Sequence, residues 1–307
     1  MMDLVQVRTF VAVAEEQHLT RAADRLHISQ SAASAHVRAI EEDFGVKLFA
    51  RTKRGLELTN SGSILLREAK DLLNHAMVLA SRARELAGHV SGSLNVGCNS
   101  DPILSRIAGI VSAMRSGAPA VHLSLHARNS SATRQGLQNG ELDVGVLIGQ
   151  PSDDGLEYLV LRSVAYRIAG PAAWQEDIDS AGWNALARMP WITPIGNSLA
   201  YARMIQELFA DRGLQRNTVV ETDNDVLIRS MVVAGVGLSL VREDHALEAQ
   251  KLGRMAVSPI AAAHSDLLVA YPARRSGDPL IKAFASATRQ EWPDARYIKN
   301  ASNESKS

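Results

Sequence analysis

The most constraining stretch of this 307-residue sequence runs from Leu19 to Thr59, LTRAADRLHISQSAASAHVRAIEEDFGVKLFARTKRGLELT. Ala22, Ala23 and Leu26 mark one short helix, His27-Ile28 interrupts it, and Ser29 is placed to cap a second. In that second helix Ala33, Val37, Ile40 and Phe44 recur at spacings of 4, 3 and 4, one narrow apolar stripe that must face inward. Gly45 ends it. Opposite the stripe lie Ser31, Ser34, Ala35 and Arg38, with Gln30 beside them at the first turn. Lys47 to Phe49 and Leu56 to Leu58 read as short strands around a basic tip, Arg51-Thr52-Lys53-Arg54-Gly55. Two short helices at a tight turn, followed by a basic hairpin, predict a winged helix-turn-helix.

Such a helix presents its first turns to base edges. That suits Gln30, Ser31 and Ser34, while Arg38 reaches either a guanine or a phosphate. Arg51 and Arg54 on the wing suit phosphates or the minor groove. The alternative is a small helical domain with a merely solvated polar face. Residues 1–60 hold eight Lys+Arg and eight Asp+Glu, so any positive surface has to be clustered on one face.

These residues resemble the LysR-type family of bacterial transcriptional regulators. The likeness is carried by RAADRLHISQSAASAHVRAIEEDFGVKLFART, by the LTNSG that follows and by the FVAVAEEQHLT that precedes. It implies DNA contacts from Gln30, Ser31, Ser34, Arg38, Arg51 and Arg54. His18 and Ala35 depart from the residues usual in the family, a serine cap and a longer polar side chain. The resemblance also implies promoter DNA, a small-molecule effector and RNA polymerase as partners, and a homotetramer built as a dimer of dimers.

Upstream, Leu4, Val7, Phe10, Val11 and Ala14 predict a supporting helix. Downstream, residues 60–87 predict a long linker helix of roughly 40 Å. Its Leu65, Ala69, Leu72, Ala76, Leu79, Ala83 and Leu86 keep a 3.5-residue repeat, the seam of a two-stranded coiled coil. The competing reading of that seam is a core helix of one subunit. A glycine-flanked hinge is expected at residues 88–92 and a disordered tail at 301–307.

Residues 93–300 alternate strand and helix. Strands are expected at Leu94–Cys98, Val121–His126, Val144–Ile148, Trp191–Thr193, Val219–Glu221, Gly237–Leu240 and Leu267–Tyr271, and helices at Ile103–Met114, Thr133–Asn139, Leu199–Ala210, Val226–Val233 and Pro279–Arg289. The order predicts parallel α/β sheets in two lobes, lobe I about 93–162 with 268–300 and lobe II about 163–267. GELDVGVLIG and MVVAGVGLSLV resemble the LysR-type effector-binding domain, of periplasmic-binding-protein fold. Val241-Arg242 stands where the family has Leu-Pro. The expected fold class is therefore α/β: a helix-rich winged helix-turn-helix in residues 1–59, a linker helix, and a two-lobed effector domain.

Ligands of open α/β sheets sit beyond strand C-termini, near helix N-termini that favour anions. That rule selects Asn99, Ser100 and Asp101 after the first strand, Asn129, Ser130 and Ser131 after the second, Asn197 and Ser198, Thr222 and Asp223, and Thr193. Small hydroxyl and amide groups there suit a carboxylate, although each of these residues also caps helices routinely.

Zero formal net charge argues against a non-specific polyanion coat, and 46% hydrophobic content supports folded cores. No signal peptide and no membrane-spanning run is apparent, so a cytoplasmic protein is expected. The single cysteine, Cys98, leaves no intrachain disulfide or cysteine metal cluster. His122 and His126 are roughly 13 Å apart on a strand, too far to share a metal. Neither an enzyme nor a cofactor is expected. The rival readings are a constitutive DNA-binding protein with a scaffold domain, and an enzyme carrying a DNA-binding appendage.

Overall fold

In the computed structural model the described residues are 2–52, 55–86, 90–99, 101–152, 155–196, 201–260 and 263–298. The chain divides into two compact units, Met1–His89 and Val90–Ser307. The first unit contains α1 (Leu4–Glu16), α2 (Leu19–Leu26), α3 (Gln30–Phe44), β1 (Phe49–Thr52), β2 (Gly55–Leu58) and α4 (Asn60–Leu86).

Local chemistry sets each boundary in this unit. Asp3 and Gln6 form a reciprocal capping box on α1. His18 replaces a hydroxyl cap with its ring, Nδ1 accepting the Thr20 amide at 3.2 Å. His27 ends α2 in the left-handed region at φ 55°, Ser29 caps α3 through the Ala32 amide, and Gly45 closes α3 at φ 68°. The apolar stripe packs as its spacing requires: Ala33 and Ile40 are fully buried and Val37 nearly so, together with Val7, Phe10 and Leu48. Phe44 is the exception and stays exposed at the helix end.

The wing is an antiparallel pair, Phe49 opposite Leu58 and Thr52 opposite Gly55. Its first strand starts two residues later than the spacing suggests, because Lys47 and Leu48 are held by Glu41 and Thr59. Glu41 accepts the Leu48 and Phe49 amides at 2.9 and 3.3 Å and the Lys47 ammonium at 2.7 Å. The Thr59 hydroxyl donates to the Lys47 carbonyl and accepts the Gly62 amide, so it also caps α4. On α4 the expected seam divides. Leu65 and Ala69, with Leu66 and Leu73, pack into the unit's own core, whereas Leu72, Leu79 and Leu86 are 38%, 71% and 90% exposed.

The second unit opens with β3 (Gly92–Cys98), α5 (Pro102–Ser105), α6 (Ile107–Gly117), β4 (Val121–Ala127), α7 (Ser130–Asn139), β5 (Val144–Gly149) and β6 (Leu156–Pro171). It continues through α8 (Gln175–Ser180), α9 (Trp183–Arg188), β7 (Pro190–Pro194), α10 (Ala202–Ala210), β8 (Asn217–Thr222), α11 (Asp225–Val233), β9 (Ser239–Arg242) and α12 (Glu243–Lys251). β10 (Met255–Val257), β11 (Ala263–Pro272), α13 (Pro279–Glu291) and β12 (Arg296–Ile298) complete it.

β3 pairs in parallel with β4 and β5, as the alternation predicts, and β7 pairs in parallel with β8. The large sheet is nevertheless mixed, not parallel, in the order β10-β6-β11-β5-β3-β4, with β9 and β12 also on β6 and β11 antiparallel to both neighbours. The 16-residue strand β6 has no counterpart in the sequence-based assignment. It pairs with β11 along most of its length and is bulged where Leu267/Leu268 face Arg162/Val160, then runs on to pair with β9 and β10. β6 and β11 are thus the two connections between lobes. The expected helix Ile103–Met114 is two helices, because Arg106 adopts φ 49° and turns its guanidinium onto the Trp292 ring, 4.1 Å away, and onto the Glu291 carbonyl. Gly92, expected in the hinge, opens β3. The other hinge residues Gly88 and His89, and the tail 301–307, lie outside the described residues.

One core cluster covers a sheet face from Leu94 and Val96 to Trp191, Phe209 and Leu240, and a smaller one under α7 holds Leu137, Leu142, Tyr158 and Leu268. Arg275 is buried between Asp143 and Asp278, which joins the start of β5 to the cap of α13.

Candidate nucleic-acid interface and effector cleft

On α3 the buried stripe turns the opposite face outward. Gln30, Ser31 and Arg38 are exposed and Ser34 is half-buried. Ser31 shares a 2.9 Å hydroxyl contact with Ser29, and Arg38 donates to Ser34 Oγ at 3.3 Å, so these side chains form one polar row along the helix. Arg51 lies on β1, and Arg54 lies outside the described residues.

In the second unit a cavity of about 300 Å³ opens between the lobes. Asn99, Asp101, Asn129 and Ser130 enter from one wall and Asp223 from the other, so five of the residues selected from the sequence share one site. They stand there because β3 and β4 end there and α5 and α7 begin there. Asp101 Oδ1 caps α5 through the Ile103 and Leu104 amides, and Asn129 Oδ1 caps α7 through the Ala132 amide at 2.8 Å. The Ser130 hydroxyl accepts the Ile148 amide at 3.0 Å, which leaves its hydrogen for a further partner. The oxygen of the Asn99 side chain is shielded from solvent without a hydrogen-bond partner.

Three of the other selected residues do not line this cavity. Ser131 is exposed on α7, Thr222 accepts the Asn224 amide, and Thr193 is buried in β7 with its hydroxyl unpartnered. Ser100, Asn197 and Ser198 lie outside the described residues.

Sequence reasoning missed Tyr166, Tyr201, Asn224, Asp225 and Arg242, which form much of the second wall. Tyr166 lies in the unassigned β6, and its ring packs 5.3 Å from that of Tyr201. The Tyr201 hydroxyl donates to Asp225 at 3.1 Å, and Arg229 pairs with Asp225 at 3.2 Å. Burial, reinforced by the Asp225 charge, pushes both phenols well above the usual tyrosine range, so they stay protonated. Arg242 bridges the cleft: Nη1 meets Asp101 Oδ2 at 2.7 Å, while Nε and Nη2 hold Asp244 in a fork at 2.6 and 2.9 Å. Burial disfavours the Asp101 carboxylate, but the Leu104 amide, Arg242 and His245 outweigh it and hold its pKa at about 2. Burial likewise opposes charge on Arg242, and the two aspartates raise its pKa regardless.

A winged helix-turn-helix and a two-lobed cleft thus occur in one chain. The family model described as a bacterial regulatory helix-turn-helix protein of the lysR family matches residues 4–63, and the LysR substrate binding domain matches residues 87–293. The chain belongs to the LysR family. Among LysR-family relatives, the HTH-type transcriptional regulator ClcR of Pseudomonas putida is 30% identical over 251 residues, 80% of this chain and 84% of ClcR. The regulator IlvR of Caulobacter vibrioides is 33% identical over 245 residues, 78% of this chain and 82% of IlvR. In fold, the chain is similar to ArgP from Mycobacterium tuberculosis, with a TM-score of 0.69 at 19% identity over 93% of this chain and 95% of that one. This LysR-family chain is accordingly a DNA-binding transcriptional regulator with an effector-sensing domain, and not an enzyme. Cys98 fits that conclusion: it is buried, and desolvation raises its thiol pKa, the opposite of an activated nucleophile. Among the described residues, no helix is long and apolar enough to cross a membrane.

Proposed function

We propose that this regulator reads an interrupted palindrome in promoter DNA with Gln30, Ser31, Ser34 and Arg38, backed by Arg51 and Arg54 on the wing, and senses a carboxylate-bearing small molecule in the interlobe cavity. The observation that carries the sensing half is the convergence of Asn99, Asn129 and Ser130 on one 300 Å³ cavity at the strand ends. The first turn of α7 favours negative charge, and the Ser130 hydroxyl and Asn129 amide stand beside it. Tyr166, Tyr201 and Ile148 supply apolar wall for the rest of the ligand.

Residues 1–59 are the DNA-binding domain, 60–87 the dimerising linker, and 93–300 the sensor in this reading. The exposed line Leu72, Leu79 and Leu86 supports pairing of α4 with a second copy, which a two-fold DNA site requires. A dimer of such dimers would act in the cytoplasm, with RNA polymerase as its downstream partner. Ligand binding shifts the lobes, and through the linker the spacing of the paired heads on DNA. Thermal unfolding of the full chain against small carboxylates, amino acids, amines and neutral compounds tests the sensor. A ligand at one hundred times its dissociation constant should add about 2.7 kcal/mol of stability. A panel without any stabilising compound would favour a scaffold domain instead.

A further inference from the structure

Arg242 and Asp101 face each other across the site in which the effector is placed, and each is held differently. Asp244 grips the Nε/Nη2 edge of the guanidinium in a two-point fork, so Arg242 keeps its position whatever happens at Nη1. Asp101 spends Oδ1 on the α5 amides and offers only Oδ2 to Arg242 Nη1 and, at 3.3 Å, to His245 Nε2. The crosslink between lobes is therefore a single carboxylate oxygen on one end of an otherwise fixed arginine. Both residues line the cavity. An incoming carboxylate finds the same Nη1 donor that Asp101 occupies, and Asp101 keeps its capping bonds when it lets go. The other charged residues that line the cavity are Asp223, the Tyr201- and Arg229-bound Asp225, and Arg128, whose Nη1 is already paired with Glu141 at 2.8 Å; beside the two aspartates an anion is repelled unless it gains a guanidinium in return.

We propose that Arg242 is the specificity-determining residue for an anionic effector, and that Asp101 is its built-in competitor, a latch between the lobes that the effector's carboxylate displaces. The proposal rests on the interlobe cavity being the effector site. It makes ligand binding and lobe release one event: exchange of a carboxylate on Arg242 opens a bond between the lobes, which is the differential contact that a population shift requires.

The test uses the full chain, its Asp101→Asn and Arg242→Gln variants, and acetate, glutarate and benzoate, each paired with its neutral amide and a matched primary amine. Binding is read by calorimetry and by the shift in melting temperature. The expected result is that Asp101→Asn binds the carboxylates at least tenfold more tightly than wild type, that Arg242→Gln loses them, and that the amides bind none of the three. Asp101→Asn keeps the Oδ1 cap, so it carries the test even where Arg242→Gln fails to fold. Equal or weaker carboxylate binding by Asp101→Asn, or undiminished binding by folded Arg242→Gln, overturns the proposal. So does the absence of carboxylate binding in wild type and Asp101→Asn alike. Amines or amides that bind wild type and Arg242→Gln equally leave the cavity as the sensor and remove only the role of Arg242. No binding of any probe class removes both.

Discussion

Glu41 ties α3 to the start of the wing, although as a carboxylate it cannot itself touch DNA favourably. It is buried, and its carboxylate joins α3 to the wing through two backbone amides and Lys47. Burial disfavours its charge, yet those three bonds prevail and lower its pKa. The stability it contributes is therefore present above its ordinary value near 4.5 and is lost as pH falls below that value. Glu41→Gln should cost about 1 to 3 kcal/mol at neutral pH and flatten this acid-side loss, as measured by chemical denaturation at a series of pH values. Asp101 behaves alike, with its contribution intact above about pH 4 and lost toward its folded pKa of about 2, so Asp101→Asn should remove that lower phase. At the face proposed to read bases, Gln30→Ala should relax preference at one base pair by about 1 to 3 kcal/mol, measured by competition between matched and mismatched sites. These roles differ in how far the sequence exposes them. The exposure of Gln30 and Arg38 follows from helical phase alone, whereas the bonds of Glu41 depend on where the chain returns after Gly45.

Among elements, α3 was legible because caps and apolar spacing agree, Ser29 and Gly45 closing the ends of its stripe, while α1 and α4 were legible from apolar spacing alone. Strand β6 was not, because LEYLVLRSVAYRIAGP changes character along its length: a buried run is broken by the exposed Arg162-Ser163 pair, a short alternation follows over Val164–Ile168, and the end is buried again, so no single period marks one strand. The α5/α6 break was equally hidden, since only the stacking of Arg106 on Trp292 explains a left-handed arginine there. The heptad repeat of α4 was visible, but the sequence could not apportion it between Leu65 and Ala69, which fill the unit's own core, and Leu72, Leu79 and Leu86, which face outward. Two variants separate the roles. Leu72→Asp with Leu79→Asp should reduce the oligomer mass in sedimentation without unfolding the first unit. Gly62→Ala should destabilise that unit by about 1 to 3 kcal/mol, because a methyl group there would overlap the Leu48 carbonyl oxygen.

For the molecule as a whole, the rule that ligands gather at strand C-termini located half of the cleft. Asn99, Asp101, Asn129 and Ser130 carry that signal in their position after a strand. The other half, Tyr166, Tyr201 and Arg242, comes from three separate elements that meet only in three dimensions, and no local pattern announces them. Thr193 shows the converse: a strand-end hydroxyl that folding turns into the interior. The proposed regulator thus joins a reading head whose chemistry is local to a sensor whose chemistry is assembled. The most direct test of that account is selection of bound sequences from random duplex DNA by the full chain, followed by footprinting. It predicts two inverted half-sites separated by one helical turn or a multiple of it, with one base preference in each half-site lost in Gln30→Ala. A single unrepeated half-site, or the same sequence preference in Gln30→Ala, would contradict it.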